Sequence, residues 1–453
     1  MSLVSDSREP TSPRNSPPER SSLSLFFHLP RNVYLLLFFT LGKGFQLSIA
    51  NLSLPYYAHS LGYRPDFIGL FSAMPALGAL IGAVPAGMLA DRVGRKPVLL
   101  MTALLSPLFL AITGLLTAAP LLLACNLVQG LASTAYWVTN LPLLIESTTE
   151  RQRVGVLALN SFLLLGIGAL GNLLGGAIPG FVAGIVHASP ASAIPLRWGV
   201  LVAASFTFIF GLPLWFLQEP KRAVQKGEER GEQTDHERNE RQVAEVAVTA
   251  NLPVTGKLPV LEPREKPSFI LFGQLLLPDL VFTMGEGAVV ALIQIYFVLR
   301  FHLLPGPLGI IFTISGLAGG IFSLTAPLFV KRWSKLRIVT TVQYLSAPLM
   351  VLIGFAPNMP LAIGGEYARS FMRTLIEPVY AAFAMEQVPS QRRGTLAGFY
   401  SVTWSIGFSI GPTVAGWLQT NVSLSMSFVF GACCLLLAPS LLLLFFGRKR
   451  DAR

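Results

Sequence analysis

Charge is what this sequence is short of. Only 13% of its 453 residues are Asp, Glu, Lys or Arg, against about 25% in an ordinary soluble domain. That shortage excludes a freely solvated globule. Cysteine is nearly missing too: Cys125, Cys433 and Cys434 lie in apolar runs without metal-ligand spacing, so neither disulfides nor a metal site is expected. No phosphate-cradling loop, ATPase signature or nucleophile-base constellation stands out, which argues against an enzyme and leaves no cofactor or catalytic residue to expect. The first 30 residues lack the apolar core of a cleavable leader and, being rich in Ser, Pro and Arg, are expected to form a disordered tail.

What the chain has in abundance is long apolar runs. They fall near 31–57, 67–90, 98–118, 121–145, 154–184, 197–217, 268–298, 306–330, 337–356, 360–385, 394–419 and 424–446, twelve in all. Each is of the length that crosses a bilayer as a helix. An even count puts both termini on one side, and the basic residues choose it: Arg14, Arg20 and Arg31, then Arg92 to Lys96, Arg151 and Arg153, Lys331 to Arg337, Arg392 and Arg393, and Arg448 to Arg450. By the positive-inside rule that side is cytoplasmic. The net charge of +11 is thus a topology signal in a plasma-membrane protein, not a nucleic-acid footprint. Residues 219–267 form the one long hydrophilic insert, too polar for a packed core. The expected organisation is a tail (1–30), a six-helix half (31–218), a cytoplasmic linker (219–267), a second six-helix half (268–447) and a short tail (448–453).

The two halves align at a constant offset of 240 residues: Gly69 meets Gly309, Ser106 meets Ser346, Gly114 meets Gly354, Glu146 meets Glu386, Arg153 meets Arg393, Gly171 meets Gly411 and Gly176 meets Gly416. So long a register reads as an internal repeat, and hence as two pseudo-symmetric halves.

Ionisable residues inside spans are costly and must face water or one another. Span 10 places Glu366, Arg369, Arg373, Glu377 and Tyr380 on one helical face, with Arg373 and Glu377 spaced as an i,i+4 pair. The offset projects that stripe onto Asn126, Gln129, Ser133, Trp137 and Asn140 of span 4. Span 1 adds Lys43 and Gln46, and span 7 adds Asp279 and Glu286. These residues are candidates for lining a central cavity; an internal salt-bridge lattice that locks the bundle is the plainer alternative. Asp279, Glu286 and Glu377 are the candidate proton carriers. Glu286 leads because Glu366 and Glu377 have arginines near them in sequence, although pairing with Lys43 or Arg373 would leave it purely structural.

Between the second and third runs stands Gly87-Met-Leu-Ala-Asp-Arg-Val-Gly-Arg-Lys-Pro97. Gly87 would let helices approach, and Gly94 would permit a backbone reversal. This pattern resembles the loop between spans 2 and 3 of the major facilitator superfamily, whose fold is all-α with twelve transmembrane helices in two halves. The resemblance implies that Asp91 helps hold the halves closed near the start of span 11, with Arg92, Arg95 and Lys96 beside it and Glu146, Arg153, Glu386 and Arg393 completing the gate. The repeat copy, Ala326 to Arg337, carries Lys331 where Asp91 stands. An ordinary charged turn is the plainer reading of the loop.

Span 5, Gly171-Asn172-Leu-Leu-Gly175-Gly176, resembles the G-P-x-x-G-G signature of drug/proton antiporters with Asn172 in place of proline. In span 4, Asn126-Leu-Val-Gln129-Gly130 lacks the arginine of their R-x-x-Q-G pattern, and span 1 has no acid. The resemblance therefore implies a monomeric transporter in contact with lipid that moves a small molecule by alternating access. Proton-linked efflux of amphipathic compounds is the leading expectation, with any coupling moved to spans 7 and 10. Uptake or exchange of a polar metabolite or organic anion, clamped by Arg369, Arg373 and Lys43, is the alternative. A transporter-fold sensor or scaffold is a third.

Overall fold

The structure, a computed structural model, describes residues 29–218, 269–323, 332–389 and 392–447, apart from the side chains of 150, 151, 154 and 321–323. Nearly all of the 1–30 tail, the 219–267 linker, the 448–453 tail and Lys331 lie outside the described residues. Among them the chain forms twelve long helical segments: α1 (Arg31–Ser60), α2 (Pro65–Val93), α3 (Arg95–Leu115), α4 (Ala119–Glu146), α5 (Glu150–Ser161, continuing to Val186), α6 (Ala193–Gly211), α7 (Phe269–Val290, resuming as Ile293–Phe301), α8 (Pro305–Ser323), α9 (Lys335–Gly354), α10 (Met359–Glu386), α11 (Arg393–Asn421) and α12 (Met426–Phe446). Nine are long and apolar enough to cross a membrane by length and composition alone. The other three are α8, α10 and α11, and α10 is the helix that carries the polar stripe. The protein is an all-α integral membrane protein.

Short connections make consecutive helices antiparallel within each half, and the contacts of Gly69 with Gly416 and of Gly309 with Gly176 set the halves the same way up, so Arg31 and Phe446 lie at one end of the bundle, called here the terminal end. The charged turn is tighter than its sequence suggests. Helix α2 runs on to Val93 and α3 restarts at Arg95, leaving Gly94 alone to reverse the chain at φ 102°, a value that disfavours any residue with a Cβ.

Lipid tails are as apolar as the side chains they meet, so helices associate through close packing of small residues. The two halves meet at the far end through a pair of glycine crossings. A Cβ on Gly69 of α2 would lie 3.0 Å from the Cα of Gly416 on α11, and one on Gly309 of α8 would lie 3.0 Å from the Cα of Gly176 on α5. These four residues are each other's partners under the 240-residue offset, so the crossings are one contact made twice. The Asp66 amide donates to Thr420 Oγ1 (2.8 Å) and the Tyr56 hydroxyl to the Leu303 carbonyl (3.0 Å) at the same end.

Helix α5 breaks the symmetry. It passes through a π turn at Phe162–Gly166 and a 3-10 turn at Ile167–Ala169 before resuming at Leu170, whereas α11 is one continuous α-helix. The dislocation sits against α1 at Gly44 and against α8, where Thr313 Oγ1 donates to the Ala169 carbonyl (3.3 Å).

Candidate functional site

A cavity of about 330 Å³ opens within the second half, walled by α7, α9, α10 and α11. Its aromatic wall is Phe282, Tyr380, Tyr400, Trp404 and Phe408; its charged wall is Asp279, Glu286, Arg373 and Glu377. It reaches from Phe408 towards Met385 and Ala397, near the terminal end. The far end is the one that the glycine crossings close.

Four carboxylates and two guanidiniums share this region, a formal balance of −2. Arg369 is buried and fully engaged: Nε and Nη2 grip Glu366 at 2.8 and 2.9 Å, and Nη1 holds Glu286 at 2.8 Å. Arg373 lies 3.9 Å from Glu286 and 3.4 Å from Glu377, the latter contact following the i,i+4 spacing read from the sequence. Glu286, the leading carrier candidate unless paired with Lys43 or Arg373, is held chiefly by an arginine from another helix, Arg369. Asp279 is the exception. Its carboxylate accepts from Thr403 Oγ1 at 2.6 Å and makes no ion pair among the described residues. Burying a carboxylate with only a neutral donor is costly, which sets this acid apart from the other three. On the same wall the buried Gln343 Oε1 has no donor among the described residues. Tyr380, in the aromatic wall, donates to the Leu275 carbonyl of α7 (2.7 Å).

The first half has polar groups at the same heights but with different chemistry. Lys43, buried, donates to Gln46 Oε1 (2.8 Å), Ser106 (3.0 Å) and Ser133 (3.1 Å), while Thr207 donates to Gln46 (2.7 Å) and Gln129 to Ser133 (3.1 Å). This knot joins α1, α3, α4 and α6. Lys43 does not pair with Glu286. The other span 4 candidates do not border the described cavity. Asn140 is buried, donating to Asn160 (3.2 Å) in a network with Thr40 and Tyr136. Trp137 is 54% exposed and meets Tyr136 edge-on.

Asn126 has a structural duty. Pro75 has no N–H, which leaves the Phe71 carbonyl of α2 without its usual i+4 donor; Asn126 Nδ2 supplies one from α4 at 2.8 Å. Gly130, one turn on, seats against Pro75 itself. A polar residue at 126 thus repairs a proline break, a duty the sequence reading did not foresee.

The gate residues are brought together only in part. Asp91 and Arg92 are exposed in the last turn of α2, and Asp91 makes no ion pair among the described residues. Arg95 binds Glu146, and Lys335 binds Glu386. These are the same ion pair in the two halves, each tying adjacent helices within one half rather than bridging the two. Lys96 donates to the Trp215 carbonyl (3.0 Å) and Arg393 to that of Met385 (3.0 Å), while Arg153 Nε has no acceptor among the described residues. The close approach expected at Gly87 is not made: a Cβ there would meet its nearest atom, on Val138, at 4.0 Å.

Sequence reasoning missed the aromatic face of α11. Tyr400, Trp404 and Phe408 recur every four residues, a stripe on one helical face that was legible once looked for, and Thr403 sits beside it.

Comparison with known proteins agrees with this architecture. The Major Facilitator Superfamily model matches residues 36–364 and 275–453. An uncharacterised MFS-type transporter, YfkF of Bacillus subtilis (strain 168), is 32% identical over 127 residues, 26% of this chain and 32% of that one, so the match spans about a third of that relative. The quinolone resistance protein NorA of Staphylococcus aureus (strain MSSA476) is 23% identical over 86% of this chain and 88% of its own. Among solved structures, a bacterial homolog of the human lysosomal transporter Spinster, inward-facing and occupied, superimposes with a TM-score of 0.70 at 11% identity, covering 91% of this chain and 95% of that one. The inward-open xylose transporter XylE of E. coli gives 0.66 at 15%, covering 91% and 96%. With the bundle, the repeat and the walled cavity all pointing the same way, the chain is a membrane transporter rather than an enzyme, and it belongs to the Major Facilitator Superfamily.

Proposed function

We propose that this protein exports amphipathic, positively charged small molecules across the plasma membrane in exchange for protons, by alternating access of its two halves. The observation that carries the reading is Asp279: a buried carboxylate on an aromatic wall, held by a hydroxyl and left unneutralised by either arginine. Aromatic faces attract cations and flat apolar bodies alike, and the unpaired Gln343 oxygen suits a cargo that carries an N–H. The similarity to NorA, a quinolone resistance protein, supports efflux. With both termini cytoplasmic, a cavity reaching the terminal end faces the cytoplasm, where an exported compound is collected. A proton and the cargo would compete for Asp279, with the Glu286–Arg369–Glu366 cluster keeping α7 and α10 together while the half moves. In this reading residues 31–218 and 268–447 are the moving halves and 219–267 their cytoplasmic linker.

The organic-anion alternative loses two of its three clamps, since Arg369 is occupied by two carboxylates and Arg373 lies between Glu286 and Glu377, leaving Lys43 as the one with neutral partners alone.

The test is proton movement in everted vesicles holding an acid-inside gradient, challenged with ethidium and then with an aromatic carboxylate. Wild type should release protons on adding ethidium, and Asp279→Asn should not. An unchanged response in Asp279→Asn removes that residue from coupling. Release triggered by the carboxylate alone overturns the export of cations.

A further inference from the structure

Lys43 has no part in the reading above, and its surroundings are unusual. It is a membrane-buried cation, and every partner it has is neutral: Gln46 on its own helix, Ser106 from α3 and Ser133 from α4, with Thr207 of α6 and Gln129 of α4 one bond further out. Among the described residues no acid lies within ion-pair distance, and α5 presents only backbone and small residues where it crosses Gly44. All the acids placed in the membrane's interior belong to the other half. A purely structural lysine in such a place would be expected to have a counter-charge, as Arg369 has two.

The neighbours are of a kind that tolerates both states of the amine. Ser106 and Ser133 lie 2.9 Å apart and either can donate to the other. When Nζ is an ammonium they accept from it; when it is an amine, one hydroxyl can turn and donate to its lone pair. Ser133 and Gln129 are only half buried, so the knot is not sealed on every side.

Building on the proton-exchange reading, we infer that Lys43 carries a transported proton of its own, in addition to the one exchanged at Asp279. The proton is taken from water on the outer side when the halves open there, bonds to the Nζ lone pair, and is returned to water on the cytoplasmic side after the halves have rocked. No covalent bond to the cargo forms or breaks. Each half then contributes one proton site, the first half a base and the second an acid.

The measurement is the steady-state ethidium gradient in proteoliposomes under a pH difference of one unit, with the membrane potential clamped at zero. Each coupled proton multiplies the attainable gradient by about ten under that difference, because a tenfold concentration ratio and one pH unit are the same free energy. Lys43→Gln removes the site, and Lys43→Arg keeps the charge on a group that does not release its proton in proteins. Both variants should hold a gradient about tenfold below wild type while retaining ethidium counterflow without a pH difference. A full gradient in Lys43→Arg shows that a fixed charge suffices, and one in Lys43→Gln shows that the knot suffices; either overturns the inference. Loss of counterflow in both variants also overturns it, in favour of a structural need for lysine. Wild type that counterflows ethidium but builds no gradient defeats proton exchange itself, whereas a wild-type gradient undiminished in the variants defeats only the role of Lys43.

Discussion

The two halves solve the same problem, how to keep polar groups inside a membrane, in opposite ways. Under the 240-residue offset Gln46 corresponds to Glu286, Asn126 to Glu366, Gln129 to Arg369 and Ser133 to Arg373. One half is knitted by neutral amides and hydroxyls around a lone lysine; the other is knitted by ion pairs around Arg369. Neutral partners share hydrogen bonds that can be re-aimed, whereas charged partners hold each other in place and penalise any vacancy. The difference teaches that the repeat conserves where polar contacts are made and leaves their chemistry free.

The most severe way to break the comparison is Arg369→Gln. It would leave Glu286 and Glu366 buried and facing each other, a loss of about 3–5 kcal/mol for an orphaned buried charge. A fall in melting temperature in detergent should be recovered in part by adding Glu366→Gln, and failure of that rescue would mean that the arginine matters for some other reason than charge balance. The corresponding change in the first half, at Gln129, should cost far less.

A smaller effect tests the proline repair. Asn126→Leu should cost about 1–3 kcal/mol by orphaning the Phe71 carbonyl. In a Pro75→Ala background the same change should cost little, because an alanine at that position restores the i+4 donor. Equal costs in the two backgrounds would separate Asn126 from Pro75. The smallest effect belongs to the paired surface bridges. Arg95→Ala and Lys335→Ala should each change stability by less than about 1 kcal/mol, as exposed ion pairs do. A larger loss in one than in the other would show that the symmetry of the terminal end is only geometric.

How much of this the sequence carried depends on the range of the contact. Twelve helical segments, the repeat and the Arg373–Glu377 pair rest on periodicity and local spacing, and the described residues have all three, with nine of the segments long and apolar enough to cross a membrane. Pairing of Glu286 with Arg373 was among the sequence alternatives and is present at 3.9 Å, whereas its closer partner Arg369 was not foreseen because it lies 83 residues away. Asn126 was assigned to a cavity because a polar residue in a span invites that reading; its real partner is a backbone carbonyl, which leaves no side-chain signature. The charged loop shrank to Gly94 because polar residues can still be helical where a span meets water. The aromatic stripe of α11 was legible but was overlooked beside the charges of α10.

Helix α10 has a further consequence for how the protein is made. Its four ionisable groups in mid-span come in two self-contained couples, Glu366 with Arg369 three residues on and Arg373 with Glu377 four residues on. A segment emerging from the ribosome can form both couples alone, so it enters lipid as two internally neutral pairs instead of four separate charges, each of which would cost about 2.5–3.5 kcal/mol at the centre of a span. Glu286, synthesised earlier on α7, is then the acid that has waited for a partner. The order of synthesis places the demand for Arg369 before its supply, and pairing with α7 becomes the step that completes the second half.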